Sequence, residues 1–208
     1  ERIVFFSDAV FAIVITLLVL PLTAEIELVV GAGVAHQVTE LGPRVLTFVV
    51  SFLVIGQFWI AHHRLFGYLC RYDAGLLWCN VVSLLTVAFM PFPAALLGAQ
   101  STASDHFPVV FYAASLTATS ACLTLTWVYA LRRQLINESL DHRQVAEFTL
   151  RAVTTTAIFM LSIGAAFLGL LAAIIIWVAL PPVARIVAAR RYRASTGSAN
   201  AAVPRERQ

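Results

Sequence analysis

Lysine is absent from the 208-residue chain, and all 14 basic residues are arginine. Charge of either sign is scarce, at 12% of residues, against about 25% in ordinary soluble domains. So little charge excludes a domain kept in water by a charged surface. The net charge of +3 is no nucleic-acid signal either, because most of the arginines lie in loops and the C-terminal tail; no nucleic-acid partner is expected. Cysteine is limited to Cys70, Cys79 and Cys122. An odd number without CxxC spacing excludes a disulfide framework and a zinc site, and the three read as buried, inert thiols. No HExxH, no GxSxG and no paired Asp on a helix occurs, so an enzyme is not expected. His62 and His63 are adjacent and point about 100° apart on a helix, which prevents them from sharing one metal. No metal or organic cofactor is expected. The first apolar run contains Asp8 and no small-residue cleavage site follows it, so it does not read as a signal peptide. A start at Glu1 rather than Met reads as N-terminal trimming.

What the chain has in excess is apolar sequence: 60% hydrophobic residues and a mean hydropathy of +0.86. This is organised in long runs, the signature of membrane-spanning helices, and long runs exclude a barrel of alternating strands. The runs cover residues 3–22, 44–69, 74–98 and 107–131, followed by apolar sequence over 152–184. One helix of that last length would reach roughly 50 Å at about 1.5 Å per residue, well beyond a hydrocarbon core of about 30 Å. It is therefore split near residues 164–169 into spans 152–168 and 170–189. The stretch between the first two runs, with Glu25, Glu27, His36 and Glu40, is too polar to span. The predicted fold is an all-α membrane protein of six transmembrane helices in one unit, residues 1–190. Residues 191–208 form a basic tail that reads as disordered. With six spans, every arginine but Arg44 falls on the side of the termini. By the positive-inside rule both termini are cytoplasmic.

An ionisable group inside an apolar run is costly and needs a partner, which draws attention to Phe6, Ser7 and Asp8. Projected at about 100° per residue, Phe6, Ala9, Ile13, Thr16, Leu17 and Leu20 fall on one stripe. Ser7 and Asp8 lie away from it on opposite flanks. The polar pair then faces neighbouring helices, while the stripe faces lipid, other helices or a pore; periodicity does not choose among these. At the same end of the bundle come Arg2, His62, His63, Arg64 and Asn80. Asp8 is expected to pair with a histidine or an arginine there, and Asn80 to hydrogen-bond Ser7. Thr154, Thr155, Thr156 and the hydroxyl residues of the fourth run are expected to bond their own carbonyls or to pack between helices. Pro91 and Pro93 break the third run.

The opening stretch carries an Arg (Arg2), then Phe6, Ser7 and Asp8, then an Ile/Thr/Leu run through Ile13, Thr16, Leu17 and Leu20. It resembles the first helix of prokaryotic relatives of the lysosomal potassium channel family, transmembrane protein 175. Trp59 with His62, His63 and Arg64, and Asn80 with Pro91, Phe92 and Pro93, extend the resemblance over the first three spans. The later spans agree in number and hydropathy only. The sequence departs from the commonest pattern at Val14 and Pro21, neither of which is on the stripe. The resemblance implies a potassium-permeable channel of the plasma membrane. It implies a homotetramer in the lipid bilayer, with helix 1 lining a central pore and permeant potassium ions in place of a cofactor. Carried over, the pore constriction is Ile13, Leu17 and Leu20, with Thr16 as a hydroxyl ring. The structural or gating polar network is Arg2, Ser7, Asp8, Trp59, His62, His63 and Asn80. There is no Thr-Val-Gly-Tyr-Gly filter, so permeation would depend on a hydrophobic constriction. The rival reading is a proton-coupled transporter, or a proton-permeable channel, using Asp8, His62 and His63 as a relay.

Overall fold

In the computed structural model, residues 2–22, 34–99 and 105–179 are described, with backbone alone for 34–40. The tail 191–208, the end of the last predicted span, and the arginines beyond Arg151 lie outside the described residues. The elements are helical: α1 (Arg2–Leu17), α2 (Val34–Gly67), α3 (Ala74–Phe89), α4 (Pro91–Gly98), α5 (Phe107–Arg132) and α6 (His142–Ala165). A 3-10 turn, Ala166–Leu168, then leads to α7, Leu170–Ala179. Among the described residues, five stretches are long and apolar enough to cross a membrane: Arg2–Leu22, Leu41–Gly67, Ala74–Gly98, Phe107–Arg132 and His142–Leu168. The segment α7, where the last span is expected, is shorter within the described residues.

The breaks have local causes. Pro21 has no N–H to give the Leu17 carbonyl, and the chain tightens there: Val19 N–H bonds Thr16 O at 3.2 Å and Leu22 N–H bonds Val19 O at 3.0 Å. The helix then resumes to Leu22. Pro91 has the same deficit. It sits in the first turn of α4 after a one-residue break at Met90, where a missing N–H costs nothing. Gly169, with φ of +123°, makes the turn between α6 and α7, a conformation that a β-carbon would strain.

Two elements start earlier than the sequence suggests. α2 begins at Val34 and runs through Pro43, not from residue 44. Thr47 Oγ1 donates back to the Pro43 carbonyl at 2.9 Å, a common use of a hydroxyl within a helix, and membrane helices tolerate an interior proline. α6 begins at His142, capped by Asp141, whose side chain accepts from Arg143 N–H. Its first turns are polar, which is why a hydropathy reading starts the span at 152.

α5 is the central element. It packs against α3, α4 and, most extensively, α6, while α1 packs on α2 and α3. Its buried stripe runs Tyr112, Ala113, Leu116, Thr119, Ser120, Leu123, Thr126, Trp127 and Ala130. Lipid tails are as apolar as leucine, so helix association rests on close packing and interhelical hydrogen bonds. Thr156 shows both expected uses of its hydroxyl. It donates to Ala152 O at 3.1 Å and lies 2.9 Å from both Ser120 Oγ and Thr124 Oγ1. Further bonds join α5 to its neighbours: Tyr112 to Ser51 at 2.9 Å, Ser83 to Thr126 at 3.1 Å and Trp127 to Thr149 at 2.8 Å. Each such bond is worth about 0.6 kcal/mol in a bilayer. At Gly75 a β-carbon would run into the Tyr129 ring and hydroxyl, so a larger residue there would push Tyr129 aside.

Candidate pore helix and its polar anchor

α1 is two-sided. Ser7, Phe11, Val14 and Leu18 are buried against the chain's own helices. Phe6, Ile13, Leu17 and Leu20 are exposed, with Ile13 at 58% and Leu20 at 55%. Ala9 and Thr16 are exposed with them. All six stripe residues therefore lie on the face that this chain leaves uncovered.

The opposite side is tied down by a directed chain of hydrogen bonds. His62 Nε2 is 2.9 Å from Asn80 Oδ1. An amide oxygen only accepts, so the histidine proton sits on Nε2. Asn80 Nδ2 donates to Ser7 Oγ at 3.1 Å, and Ser7 Oγ donates to the Ile3 carbonyl at 2.9 Å. Each group accepts once and donates onward, an order in which neighbouring bonds polarise and strengthen one another. His62, Asn80 and Ser7 are all buried. The Phe66 ring stacks on His62 at 4.3 Å and Phe11 lies tilted at 5.5 Å, so the chain runs through apolar surroundings.

Asp8 is held separately. Trp59 Nε1–H donates to Asp8 Oδ1 at 2.9 Å, and the Trp59 ring lies 5.7 Å from that of exposed His63. The expected pairing of Asp8 with a histidine or arginine is thus replaced by an indole donor. The packing of α1 on α2 sets residue 8 against residue 59, one turn short of the histidine pair. Arg2 and Arg64 are exposed and stand outside both groups.

Behind this anchor, Asp73 organises the loops. Its carboxylate caps α3 by accepting from Leu76 N–H at 2.7 Å, and it accepts from Tyr129 Oη at 3.0 Å and Arg133 Nε at 3.5 Å. These contacts, led by the Leu76 N–H, hold its pKa below the usual 3.8. An Asp immediately before an apolar run is a readable capping signal, although Asp73 is not among the residues the sequence singles out. Cys70 is exposed beside the same loops rather than buried. It follows Leu69, which is 9% exposed and pairs with Ile136 in an isolated β-bridge just beyond α2. Among the described residues no group of three or more His, Cys, Asp or Glu is placed to hold a metal.

Comparison with known proteins bears on the same helices. The sequence profile of the endosomal/lysosomal potassium channel TMEM175 matches residues 2–91, which takes in α1 to α3. A potassium channel of Streptomyces collinus is 31% identical over 169 residues, covering 80% of this chain and 82% of that protein. The chain belongs to the TMEM175 family. A potassium channel of Chamaesiphon minutus is 42% identical over 97 residues, 46% of this chain and 48% of that one. The human member, named an endosomal/lysosomal proton channel, is 30% identical over 98 residues, 19% of its length. The fold agrees with a crystal structure described as a lysosomal potassium-selective TMEM175 homologue from Chamaesiphon minutus. The TM-score is 0.75 at 28% identity, covering 91% of this chain and 96% of that one. TMEM175 proteins are ion channels, and this member is a multi-pass membrane protein rather than an enzyme.

Proposed function

We propose that this chain is one subunit of a homotetrameric, potassium-preferring cation channel of the plasma membrane, with α1 lining the pore and both termini cytoplasmic. The observation that carries the reading is the two-sidedness of α1. Its stripe of Ile13, Thr16, Leu17 and Leu20 is exposed, while its other flanks are fixed by the Ser7–Asn80–His62 chain and the Asp8–Trp59 bond. Identical chains enclose one central path by closed cyclic symmetry. Membership of a family whose bacterial members are named potassium channels supports a pore rather than a plain lipid face.

A ring of Ile13, Leu17 and Leu20 side chains has no ligand to replace an ion's water. It closes by narrowing until water leaves, and when wider it passes potassium more readily than sodium, because potassium holds its water less tightly. Thr16 Oγ1 donates to Ile13 O at 2.8 Å. With its proton used on the backbone, the oxygen presents only lone pairs outward, the polarity a cation favours. Ile13→Asn and Leu17→Asn are expected to wet the constriction. In single-channel recordings from purified protein, conductance should rise or potassium preference should fall. Unchanged currents in both variants remove these residues from the pore.

A second reading, a proton-permeable channel or proton-coupled carrier, is favoured by the naming of the animal relatives as proton channels and by buried His62 within a hydrogen-bonded chain. Reversal potentials separate the two. Under opposed gradients, a potassium pore follows the potassium gradient and a proton path follows pH.

A further inference from the structure

Between α2 and α6 lies a cavity of about 230 Å³ that the pore reading does not use. An aromatic pair lies at each end, one between α2 and α6 and one between α6 and the turn that follows α2. Phe58 meets Phe159 with centroids 5.5 Å apart, and Tyr68 meets Phe148 edge-on at 5.4 Å. Ten residues separate Phe58 from Tyr68, so the gap is about 15 Å long at about 1.5 Å per residue. α5 forms the back wall through Ser120, Leu123 and Thr124.

The walls grade from apolar to charged. Phe58, Leu123 and Phe159 line one end; Arg64, Gln144, Glu147 and Arg151 line the other. Arg151 Nη2 is 3.2 Å from Glu147 Oε2, so that pair neutralises itself and leaves the charge of exposed Arg64 uncompensated within the lining. The protein also leaves hydrogen-bonding capacity unused. Arg151 Nε on α6, a donor that could serve a phosphate oxygen, is buried without a partner and its residue lines the cavity. Buried polar groups are rarely left so, and each costs about 1–3 kcal/mol.

We propose that this cavity is a binding site for a monoanionic phospholipid, its phosphodiester held by Arg64 and Arg151 and the upper part of one acyl chain lying toward Phe58 and Phe159. The single surplus positive charge matches one phosphate. The polarity order along the helices, charged at the arginine-rich end and apolar deeper in, is that of a lipid along the membrane normal. The volume has room for roughly eight water-sized groups, enough for a phosphate and a few methylenes, with the remainder of the lipid outside between the helices. Arginine suits this role because its planar fork binds phosphate oxygens in pairs.

The test is retention of phosphatidylglycerol against phosphatidylcholine by the purified full-length channel, counted by native mass spectrometry. Phosphatidylglycerol should be retained in preference, and Arg64→Gln should lower its affinity about tenfold, the loss of one charge-assisted hydrogen bond. Glu147→Gln, which frees Arg151 from its internal partner, should raise it. Thr155→Phe should remove binding by filling the cavity, while Arg132→Gln, an exposed arginine at the same end of the bundle, should leave it unchanged. Equal retention of the two lipids, or equal loss with Arg132→Gln and Arg64→Gln, overturns the proposal. Complete displacement of phosphatidylglycerol by inorganic phosphate alone also overturns it, by showing an anion site without a lipid.

Discussion

Asn80, only 3% exposed, serves two helices at once, accepting from His62 and donating to Ser7. Its replacement by Leu keeps the volume but strands the His62 Nε2–H and removes the donor to Ser7. Leaving such groups unpaired costs about 1–3 kcal/mol. Asn80→Leu should therefore lower the unfolding midpoint in detergent by more than Ser7→Ala, which strands only one end of the Asn80 amide. Equal melting of both variants and the parent would show that the chain does not hold α1 in place. An asparagine, a serine and an aspartate inside apolar runs were conspicuous in the sequence, and the Asn80–Ser7 contact could be read from helix ends alone. The partner of Asp8 could not. Whether residue 8 meets Trp59 or the histidine pair depends on a relative rotation of α1 and α2 by less than a turn, which no one-helix projection contains.

At the scale of the element, most boundaries follow from residues that carry their own punctuation. Pro91 opens α4 and Gly169 turns the chain at its positive φ. Pro43 misleads, because it sits inside α2, and the helix continues where a proline and flanking charges suggest a start. Asp73 shows how one residue joins elements: it caps α3 and takes bonds from Tyr129 and Arg133 of the α5 end. Its lowered pKa has a definite consequence. The folded-state value lies below the unfolded 3.8, so the stabilisation is present above 3.8 and is lost as pH falls through the folded value. Melting followed from neutral pH into that acid range should show a steeper decline for the parent than for Asp73→Asn, which lacks the titrating group. Parallel curves would remove Asp73 from the acid response.

At the scale of the molecule, one chain leaves the stripe of α1 uncovered, together with bulky residues such as Trp78 and Leu85 on α3 and Leu161 on α6. Outward leucine and tryptophan suit lipid, but α1 mixes Ala9, Ala12 and Thr16 with its larger residues, which suits close approach around an axis. The pore reading therefore predicts that native mass spectrometry of the detergent-solubilised protein gives four times the chain mass of 22.7 kDa. A monomer would sink it, since one chain with one exposed stripe encloses nothing. The membrane class, the helical make-up and the stripe on α1 were legible in the sequence, because hydropathy and helical period are properties of a single segment; of the six predicted spans, five are long enough to cross a membrane among the described residues. The tertiary structure alone decided which flank of α1 is anchored, that Asp8 answers to Trp59, and that α2 and α6 stand apart around a cavity bearing Arg64 and Arg151. Each of these depends on how two helices are rotated and spaced against a third, and that information lies in their packing rather than in any one run of residues.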